Sequence, residues 1–148
     1  MGRRLWLWGP AVACAAAIFW LSHQPVLPAP PGNDKLAHFV AFGTLSALIA
    51  RGAWFDTRWS SGLVYAAAAL LGTLYGLSDE VHQTFVPGRD ASVADVVADA
   101  AGALFGPLAW ILGCRMASRF TPRVLRDTRA ECTTRAPLPS PSPSEPGS

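Results

Sequence analysis

Charge is scarce in this sequence. Only 15% of its 148 residues are Asp, Glu, Lys or Arg, against 51% hydrophobic, and the apolar residues fall in blocks instead of alternating with polar ones. That pattern argues against an ordinary soluble globule and points to a membrane. Cysteine is sparse too. Cys14 lies inside the first apolar block, Cys114 at the end of the last and Cys132 in a polar tail, with neither an even framework nor a CxxC pattern, so the three are read as unpaired thiols. Also missing are an HExxH helix, a nucleophile elbow and a glycine-rich loop of the kind that cradles phosphate. The basic residues flank the apolar blocks and do not form a stripe for nucleic acid, so neither nucleic-acid nor nucleotide binding is expected. At this length one domain suffices.

What is present is four apolar runs. After the basic start Met1 to Arg4, Leu5 to Leu21 runs seventeen residues without a charge. That is near the short end of what a helix needs to cross a hydrocarbon core about 30 Å thick, and Trp6, Trp8 and Trp20 stand where interfacial aromatics belong. A cleaved signal peptide around Ala11-Val12-Ala13 is the competing reading, but hydrophobicity continues unbroken past Ala13. Ser22 to Asn33 holds four prolines and is expected to be an extended, polyproline-like connection with a solvated His23. A second helix is expected from Asp34 to Ala50 and a loop from Arg51 to Ser60, with Arg51 snorkelling and Trp54 and Phe55 marking the interface. The third runs from Ser61 to about Leu77, its Gly72 and Gly76 spaced for close approach of another helix. Its periodicity can continue through Asp79, Glu80 and Gln83 to a turn at Pro87-Gly88. The fourth opens at Ser92, with Asp95 completing a capping box, and continues to about Leu112, with Pro107 a candidate kink.

The expected architecture is therefore an all-α, four-transmembrane-helix bundle in residues 1–113. A basic and then Pro/Ser-rich tail, residues 114–148, is expected to be cytoplasmic and to end in disorder.

Most of the polar residues inside this frame lie in one stretch, Gly76 to Gly102, reading GLSDEVHQTFVPGRDASVADVVADAAG. Ionised groups beside membrane helices are expensive, and by default they mark a functional site. Glu80 and Gln83, three apart, would share a face. Asp95, Asp99, Gly102 and Gly106 fall on one helical stripe that should face the bundle interior. Asp99 lies about 10 Å inside Ser92 at 1.5 Å per residue, too deep to be a cap. A second contribution comes from Asp34, Lys35 and His38. For Asp34 and Lys35 the bland reading is a cap and a solvated flank; His38, among Ala37, Phe39 and Val40, has no local polar company, and Asp99 has His38, Arg89 or Glu80 as candidate partners.

Charge asymmetry sets the expected orientation. Four spans put the termini and the loop after helix two on one side, with ten of the twelve basic residues; the other side keeps only Lys35 and Arg89. Positive-inside asymmetry then places the termini in the cytoplasm. Asp34, Lys35, His38, Glu80, Gln83, Arg89, Asp95 and Asp99 converge towards the external end.

The segment DKLAHFVAF, Asp34 to Phe42, followed by SDEVHQTFVPGRDASVADVVADAAG, Ser78 to Gly102, resembles the VanZ-like family of small bacterial membrane proteins. Asp34, Lys35, His38, Phe39, Glu80, Gln83, Arg89, Asp95 and Gly102 match its pattern of Asp-Lys-x-x-His-Phe, acidic-x-x-Gln, Arg and Asp-x-x-x-Asn-x-x-Gly. Asp99 stands where the family usually has Asn. If that Asn serves only as a hydrogen-bonding amide, an aspartate fills the role in its protonated form; if charge matters there, the activity differs. The family is named after a protein associated with low-level resistance to the glycopeptide teicoplanin. The resemblance implies a role at the cell envelope and no particular reaction.

Four readings compete. In the first, a non-enzymatic envelope protein binds a lipid headgroup, cell-wall precursor or lipoglycopeptide, with Arg89 and Lys35 holding anionic groups. In the second, a membrane-embedded enzyme acts on a lipid-linked substrate. Its metal or acid-base groups would be drawn from His38, Glu80, His82, Asp95 and Asp99, with His38, Glu80 and His82 the first metal candidates; no cofactor is otherwise indicated. In the third, Asp99 serves as an intramembrane proton carrier, which in so small a bundle would need an oligomer. In the fourth, the polar residues only lock helix packing.

Overall fold

A computed structural model describes residues 2–25 and 34–120. The helices are α1 (Gly2–Ser22), α2 (Asp34–Asp56), α3 (Ser61–Gln83) and α4 (Val93–Phe120), and no strand occurs among the described residues. All four are long and apolar enough to cross a membrane. A 23-residue helix such as α2 or α3 rises about 35 Å, enough for a bilayer core. The packing described below lies within the unit Met1–Arg115; α4 from Met116 onward belongs to a second unit.

Burial runs opposite to that of a soluble bundle. Large apolar side chains point outward, among them Val12, Leu36, Val40, Leu70, Leu74, Val97 and Phe105, each more than half exposed. Small ones fill many of the helix contacts: Ala50, Ala68 and Ala103 are fully buried, alongside a few larger side chains such as Phe42 and Val64. In water this would leave the hydrophobic effect unused, whereas in lipid the outer face needs no cover and helices associate through close packing of small residues.

Glycines make that packing possible. A Cβ on Gly102 would run into the Phe39 carbonyl oxygen, and one on Gly106 into that of Gly43, so α4 lies backbone to backbone on α2. Gly76 makes room on α3 for the Asp99 side chain of α4, as the GxxxG spacing suggested. Around Ala50, Val64, Ala68 and Ile111 one apolar cluster holds the α2–α3 loop end, with Trp8 and Trp110 against it. A second, Ile18, Phe42 and Leu45, lies beneath the polar end with Tyr75 beside it, and the Tyr75 hydroxyl donates to the Ala15 carbonyl at 2.8 Å.

Two helix ends differ from the sequence-based expectation. The loop expected from Arg51 is shorter, because α2 continues to Asp56. Arg51 sits inside the helix, its guanidinium 4.2 Å from the Trp6 ring centroid and donating to the Leu7 carbonyl at 3.1 Å. Asp56 accepts from Trp8 Nε1 at 3.1 Å and pairs with Arg4 at 3.7 Å, so the polar end of α2 is anchored on α1. Ser60 then caps α3, accepting from the Leu63 amide. At the other end of the chain, α4 passes Leu112 and continues to Phe120, so the start of the expected tail is helical. The proline-rich connection from residue 26 to Asn33 and the tail from residue 121 lie outside the described residues.

Candidate functional site

The site is built where α1 and α3 end and α2 and α4 begin. Helix α3 continues through its polar residues and buries Asp79, Glu80 and Gln83 at 4%, 3% and 3% exposure. They divide between two sides. Asp79 Oδ2 accepts from Ser22 Oγ of α1 at 2.8 Å and from Gln83 Nε2, one turn on, at 3.0 Å. Glu80 turns towards α4, where its Oε2 accepts the Ser92 amide at 2.9 Å. The N–H that a capping box would give to Asp95 is therefore taken by a carboxylate from the neighbouring helix, a correction to the expected cap.

Asp95 is free to face α2, and the Lys35 ammonium pairs with its Oδ1 while lying 2.9 Å from Asp34 Oδ2. One turn deeper, Asp99 is 1% exposed and places Oδ1 2.9 Å from Nδ1 of His38. His38 Nδ1 also faces Glu80 Oε1 at 4.0 Å. Glu80 Oε1 and Asp99 Oδ2 are buried with no hydrogen-bond partner among the described residues. A ring nitrogen of His38 and one oxygen each from Glu80 and Asp95 lie within 4.8 Å of one another. Three buried carboxylates thus crowd one imidazole, and the only ammonium beside them is shared with Asp34.

The loop between α3 and α4 supplies the last member. Pro87 and Gly88, with φ 83° at Gly88 and the Arg89 amide donating to the Val86 carbonyl at 3.1 Å, make the expected turn. It sends Arg89 back to α1, where Nη2 and Nε donate to the carbonyls of Leu21 and Gln24 at 3.0 and 3.1 Å. Both carbonyls lie at the C-terminal end of α1, where a cation is favoured. A cavity of about 190 Å³ opens beside it, with Ile18, Leu21, Ala41 and Phe42 as its apolar wall and Ser22, Asp34, His38, Asp79, Gln83 and Arg89 as its polar one.

The family model for VanZ/LLP1 matches residues 10–114, a span that contains every residue of this site. The chain belongs to the VanZ/LLP1 family. No curated protein and no solved structure matches it.

Of the sequence-predicted residues of this VanZ/LLP1 chain, Lys35, His38, Glu80, Asp95 and Asp99 form one cluster with Asp34 at its rim. Gln83 and Arg89 border the adjoining cavity. His82 stands apart, its ring 4.8 Å from that of Phe19 and its Nε2 3.3 Å from Nδ1 of His23, so His23 is an exposed partner in a ring stack. Glu80 and Gln83 are both buried on α3, as residues three apart can be, and there Gln83 serves Asp79, four residues back. Asp79 and Ser22 are the site residues that sequence reasoning missed. The signal available was the i, i+4 spacing of Asp79 and Gln83 on a helix already read as continuing that far.

Proposed function

We propose that this chain is an envelope protein of the bacterial cytoplasmic membrane, its termini in the cytoplasm and its polar site on the external face. The site binds the headgroup of an amphiphilic envelope molecule: a membrane lipid, a lipid-linked cell-wall precursor or a lipoglycopeptide. Binding of that kind would change susceptibility to glycopeptides such as teicoplanin. The observation carrying this reading is the cavity, which joins an apolar wall to a polar one at the end of the bundle. At about 190 Å³ it is smaller than pockets that enclose whole drug-sized ligands, about 300 Å³ and upward, so it takes part of a headgroup while the remainder lies outside. Lys35 and Arg89, which the sequence offered as anion holders, are engaged with Asp34, Asp95 and the α1 carbonyls. Asp34 and Asp79 line the space, and a carboxylate can accept more than the two bonds each makes here, which favours hydroxyl, amine or amide groups in the ligand.

The test is a native mass spectrum of the protein extracted with its own lipids. Wild type retains a defined adduct above the bulk-lipid background, and Ala41→Trp, which fills the cavity, loses it while its helicity is unchanged. Identical spectra from the two proteins contradict the proposal. An enzymatic reading is favoured by one feature, the buried His38–Asp99 pair with Glu80 beside it, an arrangement suited to acid-base work. Turnover of a lipid-linked precursor by wild type and its loss in His38→Ala would establish that reading in place of simple binding.

A further inference from the structure

We infer that His38, Glu80 and Asp95 form a binding site for one divalent cation of the zinc or manganese class, with an oxygen of Asp99 beside it. The inference is independent of what occupies the cavity. Three helices contribute one ligand each: α2 gives an imidazole nitrogen, α3 and α4 a carboxylate oxygen each, all within 4.8 Å of one another. Ligands at about 2.1 Å from a tetrahedral metal stand about 3.4 Å apart, so an inward movement of the side chains by about 1 Å closes the set. One imidazole and two carboxylates suit a borderline first-row ion better than calcium, which takes oxygen alone.

An acidic cluster by itself would not carry this. The second observation is Glu80 Oε1, an oxygen on a side chain 3% exposed, which has no hydrogen-bond partner among the described residues and lies 4.0 Å from His38 Nδ1. Its sister oxygen is held by the Ser92 amide, so the free one is fixed in place. A buried acceptor left unpaired is costly, and a cation there removes the cost. Asp99 Oδ1 lies 2.9 Å from that same His38 Nδ1, so it stands as a further oxygen beside the ion and not as a support on the opposite ring nitrogen.

Lys35 sharpens the test. Its ammonium lies against Asp95 Oδ1, which a metal would claim, so lysine and cation compete there and the exposed Asp34 can keep the lysine after exchange. In a merely structural salt-bridge network, by contrast, Lys35 would support the cluster. The experiment strips the full-length protein in lipid nanodiscs with a chelator, dialyses it against zinc or manganese, and counts bound metal by elemental mass spectrometry. Wild type is expected to bind one equivalent. Glu80→Gln and Asp95→Asn should weaken binding by at least about tenfold, and Lys35→Met should bind as tightly as wild type or more so. Asp99→Ala removes an oxygen beside the ion and should also weaken binding by about tenfold, while Asp99→Asn, which keeps an oxygen there, recovers part of it. Retained helicity and monodispersity identify variants that are folded, and Lys35→Met and Asp99→Asn keep the test informative if an acidic variant is not. Failure of wild type to bind either ion, equal binding by wild type and Glu80→Gln, or loss of binding in Lys35→Met overturns the inference. A negative result in the cavity-filling experiment leaves it standing.

Discussion

His38 and Asp99 are the pair on which the site turns, sixty-one residues apart in sequence and 2.9 Å apart in space. Asp99 is 1% exposed, and hydrogen bonds involving a charged group contribute about 1.5–3 kcal/mol, so Asp99→Ala should destabilise the folded protein by about 2 kcal/mol. Asp99→Asn, which restores the amide of the family pattern, keeps an oxygen facing His38 and should cost less than about 1 kcal/mol. Unfolding in detergent measures both, and equal stability of Asp99→Ala and wild type would show that the pair does not hold the helices. Asp99 was recognisable in the sequence because its depth in α4 ruled out a cap, and His38 because it lacked polar neighbours. Asp79 was not singled out, since its partner Ser22 is fifty-seven residues away and ends an apolar run that gives no hint of buried chemistry. Glu80 and Gln83 are both buried, but their spacing did not say which neighbour each serves. Gln83 serves Asp79 one turn back, while Glu80 serves the Ser92 amide just before α4.

Helix α4 reaches the others through missing side chains as much as through present ones. A methyl group at Gly102 would meet the Phe39 carbonyl, whereas one at Gly113 meets nothing within 4 Å. Gly102→Ala should therefore push α4 off α2 and cost about 1–3 kcal/mol, while Gly113→Ala should be neutral or stabilise by up to about 1 kcal/mol through helix propensity. Thermal unfolding in the same detergent separates them, and equal effects would mean that the α2–α4 contact is looser than described. The glycine stripe on α4 was legible from its spacing, but Gly43 was not, because a single glycine in α2 forms no pattern until its partner is known. Helix ends were the least legible feature. Arg51 looked like a flank because charge ordinarily closes a span, yet α2 runs on to Asp56 by laying the guanidinium on Trp6 and offering it the carbonyls of α1. Helix α4 likewise exceeds its apolar run, since Arg115 reaches Ser61 Oγ at 2.7 Å without breaking the helix.

Across the whole molecule, the many large apolar side chains left outside and the close helix contacts through alanine and glycine place the bundle in lipid, and the four blocks were visible at once because that solvent imposes length and composition on every span. Convergence of the polar residues at one end was also readable, as a consequence of helix count. Which of them touch was not, since this depends on helix rotation about axes the sequence does not display. The account's central claim is that this end, with its buried carboxylates, faces outward and meets envelope molecules from that side. Accessibility of single cysteines in an otherwise cysteine-free chain tests it most directly, using Asp90→Cys in the exposed loop beside the site and Arg58→Cys in the exposed loop at the opposite end. With a membrane-impermeant thiol reagent on intact cells, the account predicts labelling at position 90 and none at position 58 until the membrane is opened. Labelling at 58 with protection at 90 would contradict it.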